Sequence, residues 1–187
     1  IINPNLRDCN FPSKSLAGVG VAFYLMLALR TFLRDQGWFD ERGIAIPNLA
    51  ELLDLVALGT VADVVPLDAN NRILTWQGMS RIRAGKCRPG IKALLEVANR
   101  DPQKLAASDL GFALGPRLNA AGRLDDMSVG VALLLCDNIG EARVLANELD
   151  ALNQTRKEIE QGMQVEALTL CEKLERSRDT LPGGLAM

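Results

Sequence analysis

Residues 48–68 read NLAELLDLVALGTVADVVPLD, and this stretch determines most of the predicted architecture. Asn48 followed three residues later by Glu51 is typical of a capping box, which predicts the start of an apolar helix. The helix is predicted to end near Gly59, so that TVAD lies at the junction of a helix and a loop. Asp68 is placed to cap a next helix over residues 69–84.

Asp63 is a single carboxylate in an apolar run, between Ala62 and Val64. Burying such a charge without a partner is costly. The side chain can cap a helix, pair with an arginine, or bind a hard cation together with other oxygen ligands. The residue type favours the two structural roles, whereas a position at the end of a helix favours a functional one. The residues by themselves leave this choice open.

Residues 115–126, GPRLNAAGRLDD, place Asn119 between Arg117 and Arg123. Guanidinium groups bind phosphate oxygens through paired hydrogen bonds, and an asparagine amide adds a neutral donor. The glycines and alanines leave the backbone open to a close approach, which suits a phosphate-binding segment. The same small residues equally suit tight helix packing with the arginines in solvent. Both interpretations stay open at this point.

The residues after 138 predict one long amphipathic helix. Asn138 and Glu141 fit a capping box, and no proline occurs before Pro182. Leucine, isoleucine and methionine recur at spacings of three, four or seven, with polar interruptions at Arg156 and Glu166. A helix of about 38 residues is a rod of ~57 Å, which forms either a coiled coil or a bridge between two domains. We favour the bridge.

Composition limits the classes of function. The chain of 187 residues has 48% hydrophobic and 24% charged residues, which is typical of a globular protein. It contains no histidine, so the chain by itself cannot supply a Ser-His-Asp triad or a histidine-ligated metal. Its four cysteines form no CxxC pair, which argues against a zinc site and suits a reducing cytoplasm. The longest apolar run, residues 16–29, is too short to cross a membrane and predicts a buried helix.

Basic residues concentrate in one segment of a chain whose formal net charge is −2. Residues 69–95 contain six arginines and lysines and no acidic residue. Such a segment is a modest signal for a polyanionic partner, although a solvated helix face explains it equally well.

TVADVVPL and GPRLNAAGRL, about 50 residues apart, together with LAGVGVAFYL upstream, resemble ordered motifs of the DHH phosphoesterase family. Within that family the chain is most similar to the bacterial exonucleases that degrade single-stranded DNA from 5′ to 3′ in recombination and repair. The resemblance implies an α/β parent domain with a parallel sheet. The part represented by this chain is expected to be predominantly α-helical, with short strands only near residues 1–3, 44–46 and 61–65.

The family resemblance also implies a set of site residues. Asp63 would be a catalytic carboxylate that ligates one of two Mn²⁺ or Mg²⁺ ions. Arg123, with Asn119 and Arg117, would bind the scissile phosphate. The basic segment would contact the DNA backbone through Arg81, Arg83, Lys86 and Arg88. Trp76, within that segment, would either stack on a base or belong to the core. Metal-activated water would then attack the phosphodiester, with the ions and an arginine stabilising the developing charge. Family members that act on short RNA, cyclic dinucleotides or pyrophosphate are alternatives, and so is a non-catalytic helical module that dimerises through the long helix.

Several family motifs are absent from this chain: the aspartate-rich DxD motif, the DHH triplet, and the glycine- and histidine-containing motif of the DHHA1 domain. We therefore expect a piece of a larger protein. Residues 1–137 would be the later part of the DHH domain, residues 138–178 a connector helix, and residues 179–187 the start of DHHA1. We expect this chain alone to be inactive. The intact protein is expected to be a cytoplasmic monomer that meets single-stranded DNA and single-strand-binding or recombination proteins.

Overall fold

The computed structural model describes residues 2–124 and 126–177, without the side chains of residues 123, 124 and 174–177. Throughout this part the regular structure is helical, and no described residue lies in a β-strand. Two 3₁₀ turns, Leu49–Leu52 and Pro102–Lys104, and a π-helical segment, Leu110–Leu114, join the α-helices. The α-helices are α1 (Gly18–Asp35), α2 (Trp38–Glu41), α3 (Leu53–Ala62), α4 (Ala69–Arg83), α5 (Pro89–Val97), α6 (Ala107–Asp109), α7 (Gly115–Leu124), α8 (Ser128–Leu135) and α9 (Ile139–Ser177).

Three predicted helix starts are confirmed by their side-chain caps. The side chain of Asn48 accepts a hydrogen bond from the N–H of Ala50 at 3.3 Å, although it begins a 3₁₀ turn that leads into α3. Asp68 accepts from the N–H of Asn71 at 2.9 Å and begins α4. Asn138 accepts from the N–H of Gly140 at 2.7 Å, directly before α9.

The predicted short strands are wrong within the described residues, and Ile1 lies outside them. Val61 and Ala62 belong to α3, residues 63–64 form a turn, and residues 44–46 are exposed without regular structure. The helix α3 also continues three residues past Gly59, its predicted end. The glycine serves helix packing instead, because a Cβ at this position would lie 2.8 Å from Cγ1 of Val19 in α1.

Close backbone packing joins α3 to α4. A Cβ on Gly78 would lie 2.0 Å from the carbonyl oxygen of Leu53 and 2.5 Å from the Cβ of Ala57. Leu53 begins α3 and Gly78 lies near the end of α4, so the two helices run antiparallel. The main core is formed by this pair with α5, α8, the π-helical segment and the first half of α9. Its fully buried residues include Ala57, Ile82, Ile91, Leu94, Leu114, Leu133 and Leu149.

The helix α9 is continuous over 39 residues, which confirms the predicted long helix. Its first half packs on α5, α7 and α8, and Ala142, Ala146 and Leu149 are fully buried. Beyond residue 156 the described side chains are exposed, apart from the partly buried Cys171. Ile159, Met163 and Leu170 are exposed by 47%, 65% and 53%. The predicted apolar stripe is therefore covered by the chain's own core only along its first half.

We expect Gly78→Ala to lower the free energy of unfolding by about 3 kcal/mol or more, because α3 and α4 must separate to admit the methyl group. Chemical denaturation of the chain measures this difference. Gly162→Ala is the matched control, since no atom lies within 4 Å of the position that its Cβ would take in α9. The control is expected to change stability by less than about 1 kcal/mol, and in the stabilising direction. Equal destabilisation by both substitutions would contradict the close packing.

A second prediction concerns the cap of α4. The pKa of Asp68 is lowered by the backbone hydrogen bond from Asn71 and next by the side-chain hydrogen bond from Ser13. Its charged form thus stabilises the fold above the ordinary pKa of 3.8, and this contribution is lost as pH falls through the lowered folded value. We expect Asp68→Ala to cost about 1 kcal/mol near neutral pH, and less in acid. Denaturation at several pH values tests this, with Asp40→Ala as control, and a pH-independent difference would refute it.

Candidate functional site

Asp63 lies at the C-terminal end of α3, where its N–H donates to the carbonyl oxygen of Gly59 at 3.0 Å. Its side chain is exposed and forms no hydrogen bond or ion pair with any described residue. Neither structural role considered from the sequence, a side-chain cap or an arginine pair, is therefore observed in the described part of the chain. The carboxylate also lies outside the apolar core that its sequence neighbours suggested. No described side chain competes with a ligand for it.

Val64 follows with a positive φ of 54° and an exposed fraction of 86%. This left-handed conformation is common for glycine at a helix end but unfavourable for a β-branched residue. Strain of this kind costs on the order of 1–3 kcal/mol and concentrates at functional sites. The outlier next to Asp63 supports a functional interpretation of this turn.

The GPRLNAAGR segment forms a helix, α7, and so follows the helix-packing interpretation of its small residues. Ala120 and Ala121 are fully buried. Arg117 faces α9, where its Nε donates to Oδ1 of Asp150 at 2.7 Å, and its Nη1 donates to the carbonyl oxygen of Ala113 at 2.7 Å. Only its Nη2 lacks a partner among the described residues. Arg117 is thus largely occupied in holding α7 against α9.

Asn119 is exposed, and position 123 lies one helical turn after it on the same face of α7. The side chain of Arg123 itself is outside the described residues. The structure therefore separates the predicted phosphate-binding trio. Positions 119 and 123 share one face, while Arg117 points away from it.

The two sequence motifs come together through the π-helical segment. A Cβ on Gly111 would lie 3.3 Å from Cγ1 of Val61, and one on Gly115 would lie 3.4 Å from the Cβ of Ala62. The start of α7 therefore rests against the last turn of α3, directly before Asp63. Motifs about 50 residues apart in the chain form one surface.

Two aromatic residues outside these two motifs have exposed side chains. Phe112, within the π-helical segment, is exposed by 85%, and Trp76 on α4 by 61%. The interpretation of Trp76 as a core residue is wrong, whereas stacking on a base is not tested and stays a prediction. Sequence reasoning missed Phe112, because its apolar neighbourhood gave no signal that a π-turn would expose it. π-Helical segments often occur at functional sites.

The four basic residues predicted to contact DNA lie at the other end of α3 and α4. Arg83 donates from Nε to the carbonyl oxygen of Leu105 at 3.0 Å, so it has a structural role. Arg81, Lys86 and Arg88 instead line a recess next to the beginning of α3. Since α3 has 10 residues, this recess is ~15 Å from Asp63 along the helix.

Asp54 is an acidic residue with a structural role that the sequence analysis did not identify. It is fully buried at the first turn of α3. Its Oδ2 accepts from the N–H of Arg88 at 2.8 Å, and its Oδ1 from the N–H of Leu55 at 2.8 Å. The carboxylate thus fixes the start of α5 to α3. Its position in an apolar helix of the sequence gave no indication of this partner.

The described residues supply only part of a metal site. Within residues 2–124 and 126–177, no group of three His, Cys, Asp or Glu side chains is arranged to hold an ion. Asp63 offers one exposed carboxylate, but two hard cations need several oxygen ligands. The described residues therefore do not make a complete metal centre. No helix in this part of the chain is both long and apolar enough to cross a membrane.

No protein-family model matches the chain. Curated proteins do: it is 98% identical over 187 residues to the single-stranded-DNA-specific exonuclease RecJ of Escherichia coli (strain K12), over 100% of this chain and 32% of that protein. It is 39% identical over 173 residues to the protein of the same name from Bacillus subtilis (strain 168), over 92% of this chain and 20% of that protein. The chain thus spans about a third of the first relative's length.

Solved structures agree with these matches. One described as exonuclease RecJ bound to manganese superimposes with a TM-score of 0.73 and 34% identity, over 90% of this chain and 40% of that chain. A structure of RecJ from Thermus thermophilus in complex with Mg²⁺ superimposes with a TM-score of 0.70 and 35% identity, over 88% of this chain and 24% of that chain.

These matches confirm the resemblance to single-strand-specific exonucleases that the three ordered motifs suggested. The similarity extends along the whole sequence, and it includes the helical fold as well as the motifs. By sequence and by fold, the chain belongs to the RecJ family.

Proposed function

We propose that this chain forms one side of the active site of a metal-dependent exonuclease that hydrolyses single-stranded DNA from its 5′ end. The observation that carries the proposal is the exposed carboxylate of Asp63, which has no partner among the described residues and directly follows the turn of α3 that packs on the start of α7. The relatives are named as single-stranded-DNA-specific exonucleases, which supports the substrate. The reaction would belong to DNA recombination and repair in the cytoplasm.

The proposed roles follow from the positions of these residues along α3 and α7. Asp63 is a metal ligand, and Asn119 and Arg123 bind the phosphate from their shared face of α7. Arg117 mainly positions α7 through Asp150 and offers the phosphate at most its Nη2. The three residues are therefore not equivalent phosphate ligands. The guanidinium of Arg117 already donates hydrogen bonds from two of its nitrogens, so it has few N–H groups left for a substrate.

The metal ions are proposed to be two Mn²⁺ or Mg²⁺, held by Asp63 together with residues that this chain does not contain. The related structures with manganese and with Mg²⁺ support the choice of metals. When bound, such ions activate water and stabilise charge on phosphate oxygens. Asp63 alone cannot hold two ions, and we therefore expect the chain by itself to be inactive.

We further propose that residues 1–137 complete an α/β domain whose parallel sheet comes from elsewhere in the protein. The outer face of α1 supports this, since Leu25, Leu29 and Phe32 are exposed by 50%, 52% and 61%. An apolar recess of about 790 Å³ lies next to this face. Residues 138–178 are proposed as the connector, and residues 179–187, proposed as the start of DHHA1, lie outside the described part.

The exposed second half of α9 favours one rival function, a helical module that binds a second copy through Ile159, Met163 and Leu170. Our proposal is a monomer, with single-strand-binding or recombination proteins as partners. Analytical ultracentrifugation separates the two, because an obligate dimer at low concentration would favour the module.

We expect Asp63→Asn in the full-length protein to lower nuclease activity by more than about 100-fold, since the neutral amide is a poor ligand for a hard cation. Release of nucleotides from labelled single-stranded DNA with Mn²⁺ measures the activity. Asp40→Asn, on the exposed side of α2, makes the same chemical change away from the site and should leave activity within about 2-fold. Retained activity in Asp63→Asn would rule out its role as a ligand.

The chain of 187 residues by itself is expected to release no nucleotides and to bind Mn²⁺ only weakly. Titration calorimetry with Mn²⁺ and the same nuclease assay test this directly. Metal-dependent degradation by the purified chain would show that its own residues suffice, contrary to the proposal.

A further inference from the structure

A turn after α4 gathers three cations into one place. The N–H of Lys86 donates to the carbonyl oxygen of Arg81 at 2.9 Å, and the N–H of Gly85 donates to that of Ile82 at 3.0 Å. This is the Schellman pattern, and it requires the left-handed conformation of Gly85, whose φ is 71°. Two residues after Lys86, Arg88 directly precedes α5. The turn therefore places Lys86 and Arg88 back against the last turns of α4.

The resulting recess has a volume of about 490 Å³ and is lined by Glu51, Arg81, Lys86, Cys87, Arg88 and Asp137. Three cationic and two acidic side chains leave it with a formal charge of +1. None of the three cations forms a side-chain hydrogen bond or an ion pair with a described residue, in contrast to Arg83, which bonds to Leu105. The three cations of the recess can therefore bind an anion without breaking a bond to a described residue, whereas Arg83 cannot.

Two guanidinium nitrogens strengthen this conclusion. Nε of Arg81 and Nε of Arg88 are both shielded from solvent and have no hydrogen-bond acceptor among the described residues. Unsatisfied buried donors are rare and need an explanation, such as a ligand. The buried Asp54 accepts its hydrogen bonds from the backbone N–H groups of Leu55 and Arg88, and neither Nε donates to it.

We propose that this recess binds a phosphate group of the single-stranded DNA, as a second anchoring point at the opposite end of α3 and α4 from Asp63. Paired guanidinium groups suit phosphate oxygens, and Lys86 adds a point charge. The separation of ~15 Å along α3 allows the same strand to reach both ends. This inference rests on the proposed substrate but needs no metal and no reaction.

Cys87 provides the readout, because its partly buried thiol lies in the lining of the recess. Burial, and next the nearby Asp54 carboxylate, raise the pKa of this thiol. Alkylation is therefore measured at alkaline pH, in the full-length protein kept free of metal so that DNA is not degraded. Peptide mass spectrometry follows Cys87 separately from the other cysteines. The probes are a deoxythymidine oligonucleotide and inorganic phosphate.

We expect a saturating oligonucleotide to slow alkylation of Cys87 by about 10-fold. Arg88→Gln should raise the oligonucleotide concentration for half-protection by about 10-fold, as for the loss of one charged hydrogen bond. Asp137→Asn removes a negative charge from the lining and should lower that concentration by about 3-fold. Lys157→Gln, an equal loss of positive charge on the exposed half of α9, should leave it unchanged. Thermal unfolding verifies that each variant is folded.

Three results would overturn the inference: no protection by the oligonucleotide, a half-protection concentration that Arg88→Gln leaves unchanged, or protection by inorganic phosphate that equals protection by the oligonucleotide. Failure of this inference and failure of the proposed catalytic site can be told apart. If Asp63→Asn abolishes the nuclease but Cys87 is never protected, the anchoring point fails and the exonuclease stands. If Cys87 is protected but Asp63→Asn stays active, the anchoring point stands and the proposed ligand role of Asp63 fails.

Discussion

The backbone contact between Gly78 and Leu53 sets the arrangement of the whole site. Because no side chain intervenes at position 78, α4 lies directly on α3, with 2.0 Å between the place of a missing Cβ and a carbonyl oxygen. The antiparallel pair then has two functional ends. One carries Asp63 and the strained Val64, and the other carries the cationic recess. A wider spacing between these helices would disturb both ends and the core beneath them.

Buried polar groups fix the other helices to this pair. Asp54 holds the start of α5 through the N–H of Arg88 at 2.8 Å. Asn71, fully buried, donates from Nδ2 to the carbonyl oxygens of Ser15 and Pro66, both at 2.9 Å. Each such bond satisfies a group that would otherwise destabilise the fold by about 1–3 kcal/mol. These contacts explain why polar side chains interrupt apolar stretches of the sequence without weakening the core.

Local chemistry made the helices predictable. The side-chain caps at Asn48, Asp68 and Asn138 and the long periodicity of α9 all appear where the pattern placed them. The failures share one cause. Gly59 was interpreted as a helix end and 61–65 as a strand, but the approach of Val19 from α1 is a distant contact that no local pattern contains. Phe112 was missed as well, because its exposure depends on the π-helical segment, which packs on the distant helix α3.

For the site, the sequence by itself determined which residue types are present: a lone carboxylate in TVAD, two arginines and an asparagine in GPRLNAAGR, and a basic segment without acids. The tertiary structure decided which of them are free to act. It left Asp63 and Asn119 exposed, engaged Arg117 with Asp150 and Arg83 with Leu105, and gathered Arg81, Lys86 and Arg88 in one recess. The physical reason is that a side chain's availability depends on the hydrogen-bond partners that folding brings to it, and those partners lie far away in the sequence.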